Sequence, residues 1–107
     1  MQSWVKDRAA PQQVDVLLFD DFSGHCLANT VEPMRAANTL AGRVLYRWRL
    51  LTLDGAPVLS SSGMSVAAHG ALSGLGGDML IVMPSYGFAS HAREATARGL
   101  RAAAGRY

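Results

Sequence analysis

Glu32 is the side chain with the most chemistry open to it. It sits early in a stretch with helical spacing, just beyond a loop that carries Phe22 and His25. A carboxylate facing such a crevice can orient a nucleophile, hold the polar group of a ligand or bind a cation. The simpler reading is structural: three residues after Asn29, a glutamate completes a capping box at a helix start. Cys26 lies where the same loop meets that helix, and a helix N-terminus can lower a thiol pKa. No nucleophile-elbow glycines bracket it, however, and a free cysteine more often fills space as a small buried hydrophobe.

The remaining candidates are weaker. His25, His69 and His91 share no metal-ligand spacing and have a single cysteine to join them, so no metal site is expected. His91, beside Ser90, reads as a surface helix residue. Gly74, Gly76 and Gly77 precede an apolar run, whereas a phosphate cradle needs glycines after a strand and opening a helix. Ser60, Ser61 and Ser62 lack the G-x-S-x-G frame. No complete catalytic set is visible, and nothing calls for a cofactor.

Half of the 107 residues are hydrophobic and 17% are charged, the balance of a folded domain with an apolar core rather than a disordered chain. Ten basic residues against eight acidic ones leave a net charge of +2. The arginines are dispersed, so no nucleic-acid stripe is expected from this segment itself. One cysteine excludes an internal disulfide framework. The N-terminus lacks the apolar core of a signal peptide, and residues 79–83 are too short to span a bilayer, so a cytoplasmic location with no membrane contact is expected.

The elements that must position these residues follow from periodicity. Residues 1–13 lack it and read as a flexible leader. Residues 14–19 form an apolar, β-favouring run with Asp15 as its one polar interruption, as in a strand buried on both faces. Leu27, Val31, Met34 and Ala41 share one helical face. Pro33 leaves two readings open: a helix starting near Asn29, or an earlier start with a kink. Gly42 closes it. Residues 45–53 alternate, with Tyr46, Trp48, Leu50 and Thr52 on one side and solvated Arg47 and Arg49 on the other, as in a half-exposed strand near a sheet edge. Asp54 and Gly55 signal a turn, short strands are expected near Val58 and Met64, and residues 68–75 read as a helical turn or coil. Residues 79–83 form a second buried strand. Ser90 caps a last helix whose apolar side is Ala97, Leu100, Ala103, Ala104 and Tyr107. Buried strands alternating with helices predict a doubly wound, mostly parallel α/β sheet, with ligands beyond the carboxyl ends of its strands at residues 20–24 and 84–90. The sheet ends unfinished, because a last helix in such a fold leads to another strand.

One family fits this order. Leu17-Leu18-Phe19-Asp20-Asp21-Phe22-Ser23 followed by Val31-Glu32-Pro33-Met34-Arg35-Ala36-Ala37-Asn38 resembles the "E-P-L-R-x-A-N" segment of the PfpI/ThiJ-like domain that precedes the DNA-binding module of AraC-type transcriptional regulators. Residues 45–55, 61–63 and 78–83 are similar to its next strand and turn, loop and strand. The nearest likeness is to regulators of quaternary-amine catabolism. The resemblance implies a flavodoxin-like sheet of the class I glutamine amidotransferase type over residues 14–107, a usually dimeric assembly, and a pocket role for Glu32. The family's nucleophile elbow and its helix-turn-helix module would follow beyond residue 107. Residues 84–87 also depart from the glycine-rich turn of the enzymatic relatives.

These readings converge on a ligand-sensing domain that takes a small effector, a quaternary amine or an amino-acid-like compound, near Phe22, Glu32, Ser85 and Tyr86. Aromatic faces suit a quaternary ammonium. DNA would be contacted only through the separate module. An amidase, hydratase or glyoxalase-like enzyme of the same superfamily is the alternative, and a bare dimerisation module a third reading.

Overall fold

The computed structural model describes residues 10–107. Its centre is β1 (Gln12–Leu18), whose last five residues are all buried. A strand covered on both faces belongs inside a sheet, and β1 pairs in parallel with β2 (Tyr46–Thr52) on one side and β6 (Met79–Met83) on the other. β5 (Gly70–Ala71) adds a short parallel pairing outside β2, giving the order β5-β2-β1-β6. The short strands β3 (Val58–Leu59) and β4 (Ser65–Val66) form a separate antiparallel pair. With α1 (Gly24–Ala41), α2 (Phe88–His91) and α3 (Glu94–Ala104), this is a mostly parallel α/β sheet with flanking helices, as the alternating pattern predicts. β1 begins two residues ahead of Val14, within the stretch read as leader; residues 1–9 of that leader lie outside the described residues.

The pleat of β1 divides the core. Val16 and Leu18 join Phe22, Val58 and Met83 on one face, against Leu27 of α1. Leu17 and Phe19 join Leu51 and Leu72 on the other, against Leu100 and Ala103 of α3. Residues 68–75 are neither helix nor plain coil: they supply β5 and bring Leu72 into this second core. No described helix is long and apolar enough to cross a membrane.

Of the two readings of α1, the earlier start is the one adopted. Ser23 is its N-cap, with the hydroxyl accepting from the Cys26 N–H at 3.1 Å. Pro33 is therefore interior, and since proline has no N–H, the Asn29 carbonyl loses its helical donor. Gly42 ends the helix at φ 67°, a left-handed conformation that favours glycine. Asn38 then ties the helix to the next strand: its Oδ1 accepts from the N–H groups of Leu45 at 2.7 Å and Tyr46 at 3.0 Å, and its Nδ2 donates to the Tyr46 carbonyl. That clamp sets where β2 enters the sheet.

The last helix also differs from expectation. Ser90 lies inside α2 and donates back to the Gly87 carbonyl at 2.9 Å, so it does not cap α3. The chain breaks at Ala92 and restarts from Arg93, which has extended φ/ψ and supplies no side-chain cap. Of the anticipated apolar side, Ala103 is buried and Leu100 and Tyr107 pack beside it, while Ala104 stays exposed.

Arg49 is not a solvated arginine. It projects onto the α3 face and meets Asp15, which is fully buried in β1. Nε and Nη2 of Arg49 bond the two carboxylate oxygens at 2.8 and 2.6 Å, and Nη2 also donates to the Gly76 carbonyl at 2.8 Å. The Tyr107 hydroxyl and Gln13 Nε2 complete the carboxylate's partners. Arg106 then donates to the carbonyls of Leu75 and Leu72, so the end of α3 is bound to the loops beneath it. Gly76 is required here: a Cβ would lie 2.6 Å from the Arg106 carbonyl oxygen. Gly76 and Gly77 thus serve close packing against Arg106 and Gln13, while Gly74 has open space around it and a left-handed φ of 79°.

Burial pushes the Asp15 carboxyl up, but the hydrogen bonds from Arg49, Tyr107 and Gln13 outweigh it and hold the group below its ordinary value. A carboxyl depressed in the folded state stabilises above its unfolded pKa, and this contribution is lost as pH falls through the folded value. Stability should therefore fall in strong acid. Arg49→Met should cost about 3 kcal/mol at neutral pH by leaving the buried charge short of its cation, measured by urea unfolding; a loss under about 0.5 kcal/mol would contradict this account.

Burial, reinforced by the bond to Asp15, pushes the Tyr107 phenol up to about 12. A phenol raised in the folded state stabilises below its unfolded pKa, near 10, and loses that contribution as pH rises towards 12. In a spectrophotometric titration, one of the three tyrosines should ionise late, and Tyr107→Phe should remove that late component.

Candidate ligand site at the carboxyl ends of the strands

The chain leaves β1, passes through α1 to β2 on one side, and returns to β6 on the other side of β1. The loops following β1 and β6 therefore diverge, and in open α/β sheets this switch point is where ligands are held. Both loops carry unusual backbone. Asp21, at φ 68°, and Ser85, at φ 50°, are the non-glycine residues with positive φ among those described. Such conformations persist only where the surroundings enforce them, and they gather at functional sites.

The surroundings are visible. The Asp21 N–H donates to the Leu59 carbonyl at 2.9 Å, the Leu59 N–H donates to Asp20 Oδ1 at 3.0 Å, and the Ser61 N–H reaches the Phe22 carbonyl at 2.8 Å. The β3–β4 hairpin thus holds the β1 loop in place. From the other side, His91 Nε2 donates to the Asp20 carbonyl at 2.9 Å, and its ring lies 4.9 Å from that of Phe19. A carbonyl can only accept, so that contact requires a hydrogen on Nε2. His91 is therefore a half-buried bridge between the two loops rather than a plain surface residue.

The residues singled out from sequence have different fates. Ser85 is half-buried and Tyr86 strongly exposed, both at the switch point. Phe22 is fully buried among Val16, Leu18, Val58 and Met83, so it supports the loop from beneath. Phe88 is the further exposed aromatic of this region. Glu32 lies well beyond the first turn of α1, where no acidic residue is present, so it is not a capping glutamate. It is exposed and bonds Arg35 at 2.5 Å, one turn along its own helix. Cys26 is exposed, contrary to the buried-hydrophobe reading.

Periodicity missed a second group of residues. Phe19 and Asp20 beyond β1, Thr52 at the end of β2 and Asp54 beyond it, and His91 at the end of α2 with Arg93 at the N-cap of α3 line an open cleft of about 320 Å³ on the α3 face. Asp20 lies in the loop already expected past β1, and Asp54 follows from the same rule applied to β2. His91 and Arg93 could not be found this way, because the break that places them was invisible. No group of three or more potential metal ligands occurs among the described residues.

Gly87 is where the two loops approach most closely. A Cβ there would lie 2.8 Å from the Asp20 carbonyl oxygen and 3.1 Å from His91 Nε2. Gly87→Ala should therefore cost about 1–3 kcal/mol through overpacking, read as a lower Tm, with amide shift changes concentrated at residues 19–22 and 85–91. An unchanged Tm would contradict this close approach.

No family model matches the chain. Over 56 residues it is 50% identical to the HTH-type transcriptional regulator GbdR of Pseudomonas aeruginosa, covering 52% of this chain and 15% of that protein. Over 71 residues it is 46% identical to the HTH-type transcriptional regulator CdhR of the same species, covering 65% and 21%. An AraC family transcriptional regulator from Pseudomonas putida superposes with a TM-score of 0.59 at 29% identity, over 69% of this chain and 47% of that one. A DJ-1 superfamily protein of Agrobacterium tumefaciens superposes with a TM-score of 0.55 at 18% identity, over 85% and 48%. The matched stretch is thus about a fifth or less of the length of either curated relative. Over the matched stretches the chain is a homologue of AraC-type, HTH-type transcriptional regulators, and its α/β sheet has the same fold as that of a DJ-1 superfamily protein.

Proposed function

We propose that the chain is part of the effector-binding domain of an AraC-type transcriptional regulator. The identity of 46–50% to HTH-type regulators, over 56 and 71 residues, carries this reading. The fold adds a crevice of the kind that holds small ligands in such sheets. DNA would be bound by a helix-turn-helix module elsewhere in the regulator, in the cytoplasm, with the domain pairing as a homodimer.

The proposed effector is a small quaternary amine or an amino-acid-like compound. Glu32 would offer the charge, Ser85 a hydroxyl and Tyr86 an aromatic face, with Phe22 holding the β1 loop under them. An ammonium group over an exposed tyrosine gains about 0.5–1 kcal/mol, more when desolvated. Aromatic contact and a carboxylate together favour a cation over a neutral ligand.

Thermal-shift and calorimetric titration with betaines, carnitine and a panel of amino acids tests this. The expected result is a raised Tm with at least one of them, reduced by Tyr86→Ala and by Glu32→Ala. If no compound in the panel raises Tm or releases heat, the effector reading fails.

A further inference from the structure

The cleft beside β1 and β2 is not accounted for by Glu32, Ser85 or Tyr86. Its volume, about 320 Å³, falls at the lower end of small-molecule sites. Its floor is apolar, formed by residues such as Phe19, and its polar groups are of both signs. Asp20 Oδ1 accepts from the Leu59 N–H and Asp54 Oδ1 from the Ala56 N–H. The second oxygen of each carboxylate has no hydrogen-bond donor among the described residues.

Arg93 supplies the opposite charge. Its guanidinium has no hydrogen-bond or ion-pair partner among the described residues, whereas Arg35, Arg49 and Arg101 are each paired with a carboxylate. It occupies the N-cap position of α3 without capping it, so first-turn N–H groups remain open at the same end of the helix. A lone anion in this cleft would meet two carboxylates, and a lone cation would meet a guanidinium. A small molecule carrying both charges is complementary to each side.

We infer that this cleft binds a small zwitterion of the α-amino-acid type, its carboxylate on Arg93 and its ammonium on the free carboxylate oxygens of Asp54 and Asp20. The inference rests on the effector reading only for the use made of the bound molecule, and it lies on the α3 face of the sheet, apart from Glu32 on α1. His91 borders the cleft and bonds the Asp20 carbonyl, so occupancy would be felt by both switch-point loops.

Amide correlation spectra of the 107-residue chain, titrated with glycine, alanine and valine, test it. Glycinamide and N-acetylglycine, each keeping one of the two charges, serve as controls. The zwitterions should shift residues 52–58 and 91–96, with the controls at least about tenfold weaker. Arg93→Gln and Asp54→Asn, both at exposed positions, should each weaken binding about tenfold, and Arg47→Gln, at the opposite end of β2, should leave it unchanged. Their own spectra report whether the variants remain folded. The inference is overturned if no zwitterion shifts these segments, or if the Arg93 and Asp54 variants bind as well as the parent. A response confined to the surroundings of Glu32 and Tyr86 overturns the cleft alone and leaves the effector reading standing.

Discussion

A carboxylate with no exposure to water, in the central strand of a sheet, has to be paired or it becomes a liability. Asp15 is that group. Its needs are met by Arg49 from the neighbouring strand, by Tyr107 after the last helix and by Gln13 from its own strand. Three separated parts of the chain are therefore held to one point. The pair is no simple gain, since ions lose hydration on burial and an apolar set of similar shape is often as stable. What the arrangement adds is direction: a bidentate fork on one side and a hydroxyl on the other admit few relative positions of β2 and α3.

That constraint acts at the opposite end of the sheet from the candidate site. With α3 anchored at its C-terminal end by Arg106 and Tyr107, its start is delivered to the carboxyl ends of β1 and β2. Arg93 and His91 stand there for that reason. On the other face, α1 has no fully buried residue, and its Ser23 cap and the Asn38 clamp fix its two ends. The switch point lies between the two covered faces of the sheet. Loops that must admit a ligand are drawn from the less stable parts of a fold.

Some of the deviations from expectation share one cause, which is that local patterns do not report distant partners. Arg49 and Arg47 look alike in an alternating strand, yet one meets a buried carboxylate 34 residues away and the other stays in solvent. Phe22 looked available because it stands in a loop between turn residues; the β3–β4 hairpin closes over that loop and folds the ring into the core. The helix start was ambiguous because Pro33 is disfavoured beyond the first turn, and the tertiary contacts of Leu27 outweighed that cost. Glu32 lost its capping role through the same displacement.

Several features were settled by local chemistry. The apolar runs that became β1 and β6, the alternation of β2, the left-handed Gly42 and the Asp54 turn are statements about side-chain period and backbone freedom, and they hold whatever surrounds them. With their order they imply a parallel α/β sheet and the end of it where a ligand would sit. Tertiary structure alone decided which charge is buried, where α2 gives way to α3, and which side chains meet at that end. Those outcomes depend on burial and on pairs formed across tens of residues, and neither is written into any short stretch of chain.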